Sequence, residues 1–387
     1  MANAPRPGRS GAARGAVRLA VEGVQGVTHI AEGLHRQIAR VALPLGRGTE
    51  RPLGGISGFV YRSIRAGTGV VGSGLDALLA GLQALQPPAA ADAPDAPMPL
   101  ALRSALNGVL GDHLARTGNP LAIPMSLMVR GPATPRMLLL VHGLCMNEQQ
   151  WAHKGHDHGQ ALADALGCTP VYVRYNSGRH VSENGAELAA LLEQTAAGWP
   201  VPLREIAIVG HSMGGLVARS AACQAAEAGM AWPKLLHPMV FLGTPHHGAA
   251  LERGGNWLHA VLGVSPYLAP FTRLARLRSD GITDLRHGNV LATDWQAGPY
   301  LHRDTRSITP LPAGVPCYAI AGALASPAAA KALGDGLVSV DSALGRHTRP
   351  THDLRIPPRR TWVAPGVHHL DLLSDPRVYR KLRSWLR

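Results

Sequence analysis

The sequence predicts an α/β fold, a mostly parallel sheet covered by helices on both faces. Three observations carry that expectation. From about residue 100 onward, short apolar runs alternate with longer amphipathic stretches. The runs are almost continuously apolar, as strands buried on both faces are. Each is followed by a helix-length segment, the rhythm that joins parallel strands by crossovers.

The elements follow in order. Residues 1–14 are rich in Arg, Gly, Pro and Ala and are predicted to be disordered. Residues 15–85 read as a basic, amphipathic helical extension. Apolar side chains recur at Val17, Val21, Val24, Val27, Ala31, Leu34, Ile38 and Val41, opposite Arg18, Glu22, Gln25, His29, Glu32 and Arg36. A second stripe runs from Val60 through Ile64, Val71, Leu75, Leu78 and Leu82 to Leu85. "QPPAAADAPDAPMP" (86–99) reads as a Pro/Ala linker. Residues 100–387 are predicted to form the main domain, opening on a helix near 100–117. Strands are expected at 137–141, 170–175, 206–210, 239–243, 317–322 and 361–364, and helices near 157–166, 183–197, 213–228 and 376–387.

Bulk composition narrows the function. The 387 residues carry a formal charge of +13, with 34 arginines against four lysines. There is no run of five basic residues and no basic patch interleaved with aromatics, so nucleic-acid binding is not expected. Residues 1–90 hold ten Arg and four acids. That excess favours peripheral association with an anionic membrane through the N-terminal segment. The four scattered cysteines, Cys145, Cys168, Cys223 and Cys317, form no CxxC pair and suit free thiols in a reducing compartment. Arg18 and Glu22 interrupt any signal-like apolar segment, and no stretch approaches ~18 consecutive apolar residues. A cytoplasmic location is the expectation.

The chemistry is concentrated in "IAIVGHSMGGLVARS" (206–220), where an apolar strand meets a helix at Gly210-His211-Ser212-Met213-Gly214. This is the G-x-S-x-G nucleophile elbow. The turn leaves no room for side chains at 210 or 214, and it lifts the Ser212 hydroxyl above the sheet edge. There a base and a substrate carbonyl can both reach it. The Met213 amide, at the start of the helix, can stabilise an oxyanion. "MLLLVHGLCMNEQQW" (137–151) offers the second donor after an earlier strand: the Leu144 amide, with Gly143 allowing close approach and His142 buttressing the loop.

If the chain order is serine, acid, histidine, the base lies in "VAPGVHHLDLLSDPRVYRKLRSWL", where His368 and His369 compete. His369 is preferred, because the leucines that follow it then enter the final packing layer. For the acid, Asp335 sits between glycines just past a strand and is preferred over Asp341, which suits a helix cap or loop.

"VHGL", "GHSMGGLVAR", "GTPHHGA", "DGLVSVDSA" and "HHLDLLSDPRVYRKLRSWL" resemble the serine esterases and lipases of the α/β-hydrolase superfamily. The resemblance is to bacterial lipases and to the PGAP1-like (GPI inositol-deacylase-like) branch, and it covers roughly residues 120–387. It implies Ser212 as nucleophile, Asp335 as acid, His369 as base, and Leu144 and Met213 as oxyanion donors. It requires no cofactor and no metal. In lipases the region following "GTPHHG" carries a cap or lid, here about 244–310. Its Trp257, Leu258 and Leu262 are candidates for an acyl pocket, with ordinary packing as the competing reading.

"HKGHDHG" (153–159) holds possible metal ligands but no HExxH-type pattern, and reads as a solvated loop opening a helix. The expected activity is hydrolysis of carboxylic, lipid-like acyl esters. A thioesterase or acyltransferase would use the same residues. A membrane-associated scaffold on an inactive hydrolase fold is the reading from another class.

Overall fold

The computed structural model describes residues 100–249, 279–296, 306, 309–324 and 334–387. The expected extension (15–85) and linker (86–99) lie outside the described residues, as does most of the expected cap. Residues 100–117 and 122–387 belong to one compact unit.

Its centre is a seven-stranded sheet. The strands are β1 (Ser126–Val129), β2 (Arg136–Val141), β5 (Thr169–Arg174), β6 (Glu205–His211), β7 (Leu236–Leu242), β8 (Cys317–Ala323) and β9 (Thr361–Pro365). Their spatial order is β1-β5-β2-β6-β7-β8-β9. Every pairing is parallel except that of β1, which runs antiparallel to β5 at the edge. A two-residue ribbon, β3 (Ala152–His153) with β4 (His156–Asp157), stands apart from the sheet.

The central strands are buried along nearly their whole length, Met137–Val141 and Ile206–His211 without interruption. Helices therefore cover both faces. Alternate strand residues point the same way. Leu138, Leu140, Tyr172, Val209 and Val240 share one apolar cluster with Leu162 of α2 (His158–Leu166) and with Val378 and Leu382 of α8 (Pro376–Trp385). On the other side α3 (Val181–Ala197) packs along α4 (Met213–Glu227), which rests on β6 and β2.

Local chemistry sets the helix ends. Asp157 caps α2 through the Gly159 and Gln160 amides, and Gly167 ends it in the left-handed conformation at φ 63°. Asp375 caps α8, where Pro376 takes the first position that needs no N–H. Three further helices are short: α5 (Asp280–His287), capped by Ser279, α6 (Ala292–Gln296) and α7 (Val340–Ala343).

Helix α1 (Leu100–Arg116) is unusual in being buried around its circumference, with Leu102 through Gly111 all inaccessible. Its polar groups are satisfied by neighbouring loops. Asn107 Oδ1 accepts the Ile123 amide, and Asn147 Nδ2 donates to Ser104 Oγ. Asn176 Nδ2 and Ser279 Oγ donate to the carbonyls of Gly111 and Gly108. Asn147 and Asn176 stand in the loops that follow β2 and β5, so α1 clasps the carboxyl-end side of the sheet, where ligands of such sheets bind.

Candidate active site

Ser212 occupies the single-residue joint between β6 and α4, at φ 54° and ψ −125°. Non-glycine residues rarely adopt positive φ, and the strain persists only where surrounding structure enforces it. Here the Ser212 amide donates to Leu242 O of β7 (2.8 Å) and its carbonyl accepts the Gly215 amide (3.1 Å). The flanking glycines are required by contact. A Cβ on Gly214 would lie 2.1 Å from the Val141 carbonyl oxygen, and one on Gly210 would lie 2.6 Å from the Gly215 Cα.

Asp335, in the turn after β8, is held by its own backbone neighbourhood. Its Oδ1 accepts the amides of Leu337 (3.0 Å) and Val338 (2.9 Å). Its main-chain oxygen accepts the His369 amide (3.1 Å), and its Oδ2 accepts His369 Nδ1–H at 2.7 Å. Both side chains are buried, Asp335 at 2% and His369 at 5% exposure. With the proton on Nδ1, the imidazole keeps Nε2 as an acceptor. His368 is exposed to solvent, and Asp341 lies in α7 with its carboxylate 3.7 Å from Arg346. The structure thus brings together Asp335 and His369 and leaves the two competitors apart. Leu372 and Leu373 enter the core, the packing that favoured His369 in the sequence.

Two residues of this neighbourhood escaped the sequence reading. His211 Nε2 donates to the His369 carbonyl (3.1 Å), tying the elbow to the histidine loop. Burial, and next the nearby His369, hold the His211 pKa well below the ordinary value, so it is neutral. Gly243 (φ 56°) lets the loop after β7 pass beside the acid and base. A Cβ there would be 3.0 Å from both Asp335 Oδ2 and His369 Cε1. For His211 the only signal was its place inside the motif, and for Gly243 its place in "GTPHHG".

The loop after β2 lies against the serine, since a Cβ on Gly143 would be 3.1 Å from Ser212 Cβ. Its path is pinned from below. His142 Nδ1–H donates to Gly143 O (2.8 Å), its ring stacks on Tyr175 (4.3 Å), and Tyr175 O–H donates to the His142 carbonyl (2.7 Å). Burial lowers the His142 pKa to about 4, so this histidine is a neutral buttress. Cys145 N donates to Ser177 Oγ (3.0 Å) and Met146 N to Gly143 O (3.3 Å). The amides of Leu144 and of Met213, the first residue of α4, donate to no other group among the described residues. The electropositive end of α4 adds to the field at this point.

Trp257, Leu258 and Leu262 lie outside the described residues, so the candidate acyl pocket is not part of this geometry. "HKGHDHG" departs from the solvated loop that the sequence suggests. His158 is fully buried, accepting from His156 Nε2–H (2.8 Å) and donating to the Leu372 carbonyl (3.0 Å). Lys154 pairs with Asp371 at 2.6 Å. These contacts bolt the start of α2 to the segment before α8. Among the described residues no three His, Cys, Asp or Glu side chains are grouped to hold a metal.

Residues 189–315 match the model of the PGAP1-like alpha/beta domain, a span that includes Ser212 but not Leu144, Asp335 or His369. No curated protein matches the chain. Among solved structures it is similar to a Bacillus licheniformis lipase in mature form, at 16% identity and a TM-score of 0.45, over 67% of this chain and 98% of that one. A Pyrococcus furiosus esterase gives 15% identity and a TM-score of 0.41, over 68% and 86%. A lipase-esterase related protein of Clostridium acetobutylicum gives 12% and 0.39, over 67% and 99%. The chain thus joins a stretch similar to a PGAP1-like alpha/beta domain, residues 189–315, to a mostly parallel sheet flanked by helices, with a strained strand–helix joint at Ser212.

Proposed function

We propose that the chain is a serine hydrolase that cleaves carboxylic esters through a Ser212–His369–Asp335 triad and an acyl-enzyme. The observation that carries this reading is the buried Asp335–His369 pair, joined at 2.7 Å and tied through His211 to the strained elbow that presents Ser212. His369 Nε2 takes the Ser212 proton as Oγ attacks the ester carbonyl. The carbonyl oxygen becomes an oxyanion and is received by the Leu144 and Met213 amides. Collapse of the tetrahedral intermediate expels the alcohol, which takes the proton from His369. Water, deprotonated by the same nitrogen, then releases the acid and restores Ser212. Asp335 holds the imidazole in the working tautomer and balances its charge while it is protonated.

The finer part of the proposal is that the ester is lipid-like. It rests on the apolar stretch 244–310 of the sequence, with Trp257, Leu258 and Leu262 as the wall of an acyl groove. No helix among the described residues is long and apolar enough to cross a membrane. On this reading, access to lipid esters comes by peripheral association through the N-terminal segment, whose residues 1–90 carry ten Arg against four acids.

A fluorophosphonate should label the wild-type chain at one site and spare Ser212→Ala, and His369→Ala should lose several orders of magnitude in turnover while His368→Ala keeps most of it. Equal labelling of Ser212→Ala refutes the nucleophile. The acyl group is tested separately with p-nitrophenyl esters from acetate to laurate below their micelle concentrations. At ~0.8 kcal/mol per buried methylene, two added methylenes should raise kcat/KM roughly tenfold. Activity falling steadily from acetate would remove the lipid reading and leave the triad untouched.

A further inference from the structure

A cavity of about 410 Å³ is lined in part by the "GTPHHG" loop and by none of Ser212, Asp335 and His369. That is within the ~300–1,000 Å³ range of small-molecule sites. Its wall includes Arg219 from α4, His246 and His247 from the loop after β7, Arg306, Thr309 and His352. Arg219 is 4% exposed, His246 1% and Thr309 6%.

Several buried donors here lack an acceptor among the described residues. Arg219 Nη2 donates to the Thr309 carbonyl (2.6 Å) and Nη1 to His246 Nδ1 (3.3 Å). A guanidinium can only donate, so His246 carries its own proton on Nε2. That leaves Arg219 Nε–H, His246 Nε2–H and the Thr309 hydroxyl buried with no acceptor among the described residues. Among the described residues Arg219 has no carboxylate within ion-pair distance either; burial lowers its pKa only to about 10, so it is charged at neutral pH. Of the two acids on the wall, Asp294 Oδ2 accepts the Val290 and Leu291 amides, and Asp353 accepts the amides of His347 and Arg355. A buried cation and unspent donors are destabilising when no acceptor answers them.

We infer that this cavity is a binding site for the phosphate group of a small molecule, received by Arg219, His246 and Thr309. A tetrahedral oxyanion offers acceptors to several converging donors at once and neutralises the buried guanidinium. The volume leaves room for an organic remainder beyond the phosphate. The site is separate from the proposed esterase centre yet built on the same two elements, since α4 begins beside Ser212 and the loop after β7 begins beside Asp335 and His369.

The test is the thermal midpoint of the full chain at pH 7.5 against inorganic phosphate, with chloride and acetate at matched ionic strength. Phosphate should raise Tm progressively with concentration and beyond both controls. Thr309→Val removes the hydroxyl but keeps the carbonyl that holds Arg219, so it should fold and weaken the phosphate effect about tenfold, the worth of one hydrogen bond to a charged group. Arg219→Met should abolish the effect if it folds. Glycerol phosphate compared with vesicles of phosphatidic acid then tells a soluble ester from a lipid headgroup, and response to either supports the site. A phosphate effect no larger than that of chloride or acetate, or undiminished in folded Thr309→Val, overturns it.

Discussion

Replacing Asp335 with asparagine exchanges one oxygen for an NH₂ group, and the hydrogen bonds say where that group must go. Oδ1 serves two backbone amides at 3.0 and 2.9 Å, while Oδ2 serves only His369 Nδ1–H at 2.7 Å. Turning the NH₂ toward Leu337 and Val338 would set three donors against one another in a buried turn. The oxygen therefore stays with the amides and the NH₂ faces Nδ1. Two donors would then meet unless the imidazole moves its proton to Nε2. In that tautomer His369 has no lone pair for the Ser212 proton, although every atom is in place. In the serine-protease triad this substitution costs ~10⁴ in kcat, and a loss of ~10³–10⁴, or about 4–5 kcal/mol in the barrier, is expected here. The assay is kcat and KM on p-nitrophenyl butyrate, with the rate of fluorophosphonate labelling and Tm measured in parallel. KM should change little, because the carboxylate touches no substrate. A well-folded Asp335→Asn with less than a tenfold loss in kcat would refute the reasoning, since the imidazole would then not depend on this partner for its tautomer.

Gly214→Ala should lower stability by ~3 kcal/mol or more, or prevent folding, because its methyl would sit 2.1 Å from the Val141 carbonyl and overpacked sites already cost ~1–3 kcal/mol; a soluble variant with unchanged Tm would show that the elbow can open at little cost. Acid should destabilise the fold before it protonates the carboxylates. Burial lowers the pKa of His142, His158 and His247 to about 4, below the ~6.5 of an unfolded chain. The unfolded state thus binds more protons between these values, so stability is full above about pH 6.5 and falls as the pH drops toward 4. A Tm that stays level from pH 7.5 to 4.5 would contradict this. The thiols of Cys145 and Cys317 are pushed up to about 12 by burial. Ellman's reagent should reach them only after denaturation, and prompt titration of all four thiols in the native chain would count against the packing.

Six of the seven sheet strands were legible because each is a buried apolar run, and a strand covered on both faces announces itself by composition alone. The missed β1 is four residues long and lies half open at the edge, where its Ser-Leu-Met-Val has no pattern to separate it from loop. The β3–β4 ribbon has two residues per strand, too few for any periodicity. Ser212 could be read locally because its turn is local chemistry, glycines and serine within five residues. Asp335 and His369 could be read only by chain order, with Asp341 and His368 as rivals. What separates the rivals is burial, which depends on contacts between segments far apart in the chain. His211 was invisible for the same reason, as the carbonyl it supports lies 158 positions away. Helix α1 was expected as a helix, but its Ser104, Asn107 and Gly108 gave no hint that the loops after β2 and β5 and the Ser279 cap would sheathe it.

That sheathing decides where this folding unit can be shortened. Arg103 is buried with its guanidinium on the Ala122 carbonyl at 2.6 Å, whereas Arg116 at the other end of α1 is open to solvent. As long as the domain is native, a protease finds no accessible site from Leu102 through Gly111. A gene cut back to the first sheet strand at Ser126 would discard a piece of the interior, and expose Cys145, Asn147 and Asn176 to water. A recombination event that moves the sheet into another protein must therefore carry with it a helix that precedes the first strand.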